Sequence, residues 1–142
     1  MQVKDIMTRD VFTVTPETSV VDARAEMTRR NIRHILVIDE GGLLIGIVTD
    51  RDIRSSLPSP ATSLSVWEVN YLLARLTVQE VMAKAVITID PERDVRQAAR
   101  ILIDHKIGGL PVLEGRRLVG IVTETDLLRA LATGVGDLAT AG

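Results

Sequence analysis

Gly46-Ile47-Val48-Thr49-Asp50-Arg51-Asp52 is written once near the middle of the chain and again, with two changes, as Gly120-Ile121-Val122-Thr123-Glu124-Thr125-Asp126. Each stretch holds a glycine, two β-branched residues, a threonine and, three places on, an aspartate. A pattern repeated this closely in one chain of 142 residues asks for one physical explanation that serves both copies.

The repeat extends outward from these stretches, and such self-similarity settles the architecture before any local detail. A shift of 75 places Met7 on Met82, Val11 on Val86, Thr13 on Thr88, Pro16 on Pro91, Ala23 on Ala98 and Val37 on Val112. One residue is lost in the turn at Gly41-Gly42, and a shift of 74 then carries Gly46, Thr49, Asp52 and Leu57 onto Gly120, Thr123, Asp126 and Leu131. The expected division is repeat one over 1–57, a linker with a helix over 58–77, repeat two over 78–132 and a flexible tail over 133–142.

Within each copy the local signals agree. Val11-Phe12-Thr13-Val14 and Val86-Ile87-Thr88-Ile89 are short β-branched runs, each stopped by a proline, and read as strands. Ser19 with Asp22, and Asp94 with Gln97, have the spacing of an N-cap and its reciprocating third residue, so a helix follows each strand. Its buried face is Val20, Ala23 and Met27 in the first copy and Val95, Ala98, Ala99, Leu102 and Ile103 in the second. A strand over Ile35–Ile38, a turn at Asp39-Glu40-Gly41-Gly42 and a strand from Leu43 to Val48 come next, echoed by Leu110–Leu113, Glu114-Gly115-Arg116 and Leu118–Val122. Thr49 and Thr123 open the last helix. The fold class is therefore α/β (α+β), two β-α-β-β-α repeats joined by a linker helix.

That linker helix opens at Ser65-Val66-Trp67-Glu68, a capping-box spacing, and runs to about Arg75. Val66, Trp67, Val69, Tyr71, Leu72, Leu73 and Leu76 wrap most of the way round it, so it is expected to be buried on more than one side, in the core or in a subunit contact.

Composition narrows the function. Apolar residues make up 46% of the chain, but Phe12, Trp67 and Tyr71 are its only aromatic side chains, so the core must be aliphatic. A net charge of −2 gives no basic footprint for duplex nucleic acid. With no cysteine, disulfides and thiolate chemistry are excluded. No apolar run approaches the roughly 18 residues of a membrane span, and the start, Met1-Gln2-Val3-Lys4-Asp5, shows no secretory pattern, so a soluble cytoplasmic protein is expected. No Ser/His/Asp grouping, His-x-x-x-His spacing or phosphate-cradling glycine loop is present, so no enzyme activity, no metal and no required cofactor are expected.

A β-α-β-β-α unit written twice with Gly-Ile-Val-Thr-x-x-Asp at its last helix resembles the tandem cystathionine-β-synthase (CBS) domain pair, or Bateman module. Asp5-Ile6-Met7, Glu80-Val81-Met82, Thr13-Val14-Thr15-Pro16, Thr88-Ile89-Asp90-Pro91 and Gly109-Leu110-Pro111-Val112 carry the same resemblance. The linker Trp67-Glu68-Val69-Asn70-Tyr71-Leu72-Leu73 looks like that of stand-alone bacterial and archaeal pairs, including acetoin-utilisation-type proteins. The resemblance implies two pseudo-symmetric repeats packed through their sheets, with two clefts between them that take an adenosine-containing ligand, AMP, ADP or ATP ahead of S-adenosylmethionine or NAD. It also implies a homodimer and a regulated partner protein.

Thr49 with Asp52 and Thr123 with Asp126 have two readings. Thr followed by Asp three residues later satisfies free N–H groups at a helix start. The same hydroxyl and carboxylate suit a ribose diol, because a carboxylate accepts from both hydroxyls. Arg33 and His34 are either a surface turn or phosphate donors, and the second copy has Gly108 and Gly109 in their place. Arg51, in the first turn of its helix, is expected at the same mouth, either to hold phosphate or to pair with Asp52 or Glu17, and Thr125 replaces it in the second copy. Thr13 and Thr88 are candidates for base or phosphate contact, and Ile35, Leu110 and Pro111 for the walls, with plain strand and core packing as the alternative; Gly109, with Gly108, either lets a ligand approach the backbone closely or makes a tight turn. The function expected is a regulatory sensor. The alternative is a ligand-independent dimerisation or interaction module working through the linker helix.

Overall fold

The computed structural model of the chain describes residues 1–56 and 63–133. Leu57, which closes the expected first repeat, the linker loop over 58–62 and the tail over 134–142 lie outside the described residues. The rest is α+β and forms two compact units, Phe12–Val86 and Met1–Val11 with Ile87–Gly142.

In the first unit, β1 (Thr13–Val14) leads into α2 (Val20–Arg30), β2 (His34–Ile38), β3 (Leu44–Thr49) and α3 (Asp50–Ser56), with α1 (Val3–Ile6) preceding them in the chain. β1 runs parallel to β2, Thr13 opposite Leu36, and β2 runs antiparallel to β3 from His34↔Thr49 to Ile38↔Leu44. Side chains alternate across a strand, so Ile35, Val37 and Val48 fall on one face. There they pack with Val14, Val20, Ala23, Met27 and Ile53 into an aliphatic core.

α4 (Val66–Arg75) and α5 (Val78–Val81) follow in the same unit. The second unit repeats the plan with α6 (Val95–His105), β4 (Gly109–Glu114), β5 (Arg117–Thr123) and α7 (Glu124–Ala132). Leu110, Val112 and Val122 build its core with Val3, Ile89, Ala98 and Leu102. Both hairpins carry a register shift at the same place, after Val37 and after Val112. Both helices α2 and α6 end on a left-handed residue, Asn31 at φ 53° and Lys106 at φ 54°. Ser19 and Asp94 cap these helices, and Gln97 reciprocates to the Asp94 N–H, whereas Asp22 gives Ser19 only its backbone N–H. Arg96 hydrogen-bonds the Asp94 carboxylate through its side chain first and its backbone second, and holds that carboxyl down to about 2.

Three expectations are corrected. The strand over Val86–Ile89 reduces to a single parallel bridge, Ile89↔Val112, because only Ile89 reaches hydrogen-bonding distance of β4. Ile103, expected on the buried face of α6, is 74% exposed, since it lies at the margin of a stripe that Val95, Ala98 and Leu102 fill. The core is not what covers the linker helix α4, which buries none of its residues within the chain, leans on α2 and leaves Trp67 84% exposed.

The sequence repeats and the compact units differ in one respect: the leading segments are exchanged. Val3, from the start of the chain, is fully buried in the core of the second unit, and Val78 is fully buried in the core of the first. Backbone bonds fix these segments: Val3 N–H to Arg93 O at 2.8 Å, and Val78 N–H to Thr18 O at 2.8 Å. Each segment then bridges a strand edge, Thr8 to Ile121 in the second unit and Ala83 to Ile47 in the first.

Those bridges explain the glycine of each motif. A Cβ on Gly120 would stand 2.7 Å from the Thr8 carbonyl and 2.9 Å from Met7 Sδ. A Cβ on Gly46 would collide with Met82 Sδ and lie 3.2 Å from the Ala83 carbonyl. A thioether can swing aside, whereas a carbonyl held by a bridge cannot. Gly120→Ala is therefore expected to lower stability in urea denaturation by about 1–3 kcal/mol, and Gly46→Ala by clearly less. Equal shifts in the two variants would contradict the backbone-contact explanation.

Candidate functional site

In the first unit the candidate residues gather at one end of the three-stranded sheet. His34 pairs with Thr49 across β2 and β3, and the Asp50 N–H donates to the Arg33 carbonyl at 3.1 Å. That bond draws the turn before β2 onto the start of α3, so Arg33, His34, Thr49, Arg51 and Asp52 share one corner. Thr13 lies one row further in, opposite Leu36 and on the same face as His34 and Thr49. Ile35 sits on the other face, fully buried under the helices, where it serves the core.

Thr49 and Asp52 bond reciprocally. The Asp52 N–H donates to Thr49 Oγ1 at 3.1 Å, and the Thr49 N–H donates to Asp52 Oδ2 at 2.8 Å. This is the capping arrangement that free helix N–H groups require. It leaves Asp52 Oδ1 without a donor among the described residues, on a half-buried side chain. Arg33 and Arg51 are exposed and have no acidic partner among the described residues. Asp50 is engaged elsewhere, 3.5 Å from Arg54 Nη2. One open carboxylate oxygen and two guanidinium groups without an acidic partner among the described residues thus belong to the same corner, a donor–acceptor set suited to a diol joined to an anion.

The second unit repeats the frame with different chemistry. Gly109 pairs with Thr123, the Glu124 N–H donates to the Gly108 carbonyl at 3.0 Å, and Pro111 pairs with Ile121. Gly108 and Thr125 stand where the first unit has Arg33 and Arg51, so the corner carries neither cation. Leu110 is fully buried in the core on the opposite face, Gly109 and Pro111 are buried, and Thr88 lies half-buried just before the Ile89 bridge.

Asp126 is only 5% exposed, the one charged side chain among the buried described residues. Its Oδ2 accepts from the Thr123 N–H at 2.9 Å and the Thr123 hydroxyl at 3.1 Å. Its Oδ1 accepts from the Thr8 hydroxyl at 3.0 Å and faces Arg129 Nη1 at 3.6 Å. Thr8 is absent from the sequence expectation. Its signal is a departure from the repeat: Met7 and Met82 match, but the next residues are Thr8 and Ala83.

These two corners stand on a recognisable scaffold. The chain belongs to the CBS domain family, whose model matches residues 3–59 and 78–133. It is 34% identical over 134 residues to the protein MJ1404 of Methanocaldococcus jannaschii, covering 92% of this chain and 32% of that protein. The chain thus spans about a third of that relative, although it spans 90% of a CBS domain-containing protein of Dictyostelium discoideum. Among solved structures, it resembles the CBS domain pair of protein MJ0100 in complex with 5′-methylthioadenosine and S-adenosyl-L-methionine. That likeness has 30% identity and a TM-score of 0.77, over 93% of this chain and 96% of that one. It also resembles CBSX2 in complex with AMP, at 28% identity and a TM-score of 0.75, over 92% and 96% of the two chains. Among the described residues no helix is long and apolar enough to cross a membrane.

The two aspartates differ in what their removal leaves behind. Asp126→Ala removes a buried carboxylate that accepts from the Thr123 N–H and from the hydroxyls of Thr123 and Thr8, and is expected to cost about 1–3 kcal/mol. Asp52→Ala removes one half-exposed cap bond and is expected to cost about 1 kcal/mol or less. Urea midpoints of the two variants, measured without ligand, check the order; a costlier Asp52→Ala would contradict the burial difference.

Proposed function

We propose that the chain is a regulatory sensor that binds an adenosine nucleotide, AMP, ADP or ATP, without transforming it, and reports the bound state to a partner protein, working as a pair of identical chains. The observation that carries this reading is the first unit's corner. The open Oδ1 of Asp52, with Thr49, takes the ribose hydroxyls, and Arg33, His34 and Arg51 take phosphate. The adenosine-containing ligands of the MJ0100 pair and of CBSX2 support the ligand class. S-adenosylmethionine remains in the same class, since it shares the ribose. The two guanidinium groups favour a ligand that carries phosphate, because Arg forms a planar donor fork matched to phosphate oxygens.

A sensor needs a ligand that binds two conformations unequally. Ribose held by Asp52 and phosphate held by Arg33 would tie the start of α3 to the turn before β2, two segments already joined by one backbone bond. Ligand would stiffen that corner, and the stiffened corner is what a partner would read.

A second reading is favoured by α4. Trp67 at 84%, Tyr71 at 57% and Leu72 at 50% exposure line an open apolar groove with Leu64. A module that works through this face alone would need no nucleotide.

Thermal unfolding separates the two readings. A ligand at 100 times its Kd stabilises the folded chain by about 2.7 kcal/mol, so AMP, ADP or ATP at millimolar concentration is expected to raise Tm. Asp52→Ala is expected to abolish the rise while Tm without ligand stays near that of the unaltered chain. No rise with any of the nucleotides or S-adenosylmethionine would favour the interaction module.

A further inference from the structure

We infer that Thr8 closes the second motif to ligand, so that the chain binds one nucleotide, at Asp52, and not two. The inference rests on the nucleotide-sensor reading and fixes how many of its two motifs are used.

A carboxylate offers about four lone-pair positions to hydrogen-bond donors. On Asp126, Thr123 takes two through its N–H and its hydroxyl, both on Oδ2. Thr8 takes a third on Oδ1 at 3.0 Å, and Arg129 Nη1 stands 3.6 Å from the same oxygen. A ribose diol needs two acceptor positions, and these three hydrogen bonds leave at most one, on the oxygen that Arg129 faces. Asp126 is also 5% exposed, so an incoming hydroxyl would have to displace Thr8 to reach it. On Asp52 the only protein donor among the described residues is the Thr49 N–H, on Oδ2, and Oδ1 is left for ligand.

The difference is set by one residue on each leading segment. Thr8 and Ala83 occupy equivalent places: Thr8 bridges Ile121, Ala83 bridges Ile47, and those isoleucines are equivalent in the two motifs. The bridge therefore carries residue 8 or 83 alongside the start of the last helix, where a hydroxyl reaches the motif aspartate and a methyl group donates nothing. Thr8 is thus a positioning residue: it acts by holding Asp126 and touches no ligand. The cations agree with this division, because Arg33 and Arg51 flank the open aspartate while Gly108 and Thr125 flank the closed one.

Thr8 and Ala83 are both exposed, so substitutions there leave the cores intact. Isothermal titration calorimetry on the full chain with AMP, ADP, ATP and S-adenosylmethionine gives the stoichiometry. The expected result is one site per chain for the unaltered protein and for Thr8→Ser, which keeps the hydroxyl, and two sites for Thr8→Ala. Ala83→Thr, which supplies the missing donor to Asp52, is expected to weaken the first site about tenfold, the worth of one hydrogen bond to a charged group. Two sites in the unaltered chain, one site in Thr8→Ala, or undiminished affinity in Ala83→Thr would each overturn the inference and leave the sensor reading standing. No heat from any ligand with any variant would overturn both.

Discussion

The fold turns on two places where another stretch of backbone crosses a strand too closely for a side chain. Gly46 and Gly120 are those places, and neither needs glycine for an unusual backbone angle, since neither has positive φ. What they need is the missing Cβ, because Met82-Ala83 and Met7-Thr8 lie against them. The crossing in turn holds the leading segments that bring Val3 and Val78 into cores otherwise built by the other repeat. Compactness therefore depends on contacts made by residues far away in the chain, and a folded repeat requires the segment that precedes its partner.

The same crossing is what separates the two motifs chemically. A symmetric scaffold places equivalent residues beside both aspartates, and the chain then fills those places differently. On one side stand Ala83, Arg33 and Arg51; on the other stand Thr8, Gly108 and Thr125. Asp126 ends up buried and satisfied by its neighbours, a structural group in its present setting. Asp52 ends up half-exposed with one oxygen open. Duplicated backbone, in this chain, has not meant duplicated chemistry.

Much of this was legible in the sequence, for reasons that can be located. The repeat, the caps at Ser19, Asp94 and Ser65, the hairpins and the last helices are local signals, and local signals survive into structure. What the sequence obscured were matters of long-range placement. Composition made the α4 helix look buried, because its apolar residues surround it, but which neighbours would cover it is not written in its own residues. The run Val86–Ile89 has strand composition, yet only Ile89 meets β4. Ile35 and Leu110 carry two readings in the sequence, pocket wall and core packing, and alternation along β2 and β4 places both in the cores. The exchange of leading segments has no local signature at all, and with it went the contact between Thr8 and Asp126, which are 118 residues apart.

Capping and binding are often posed as rival explanations of a Thr-x-x-Asp stretch, but on Asp52 they do not compete. The cap uses the Thr49 oxygen as an acceptor and one oxygen of Asp52 as another. It leaves the Thr49 hydroxyl proton and Asp52 Oδ1 uncommitted among the described residues, and fixes both in place. A ligand hydroxyl arriving there meets an acceptor already oriented by the helix it caps, so little side-chain freedom is lost on binding. Pre-organisation of that kind lowers the cost of association. On Asp126 the same capping bonds are present, and Thr8 adds a further donor from outside the motif.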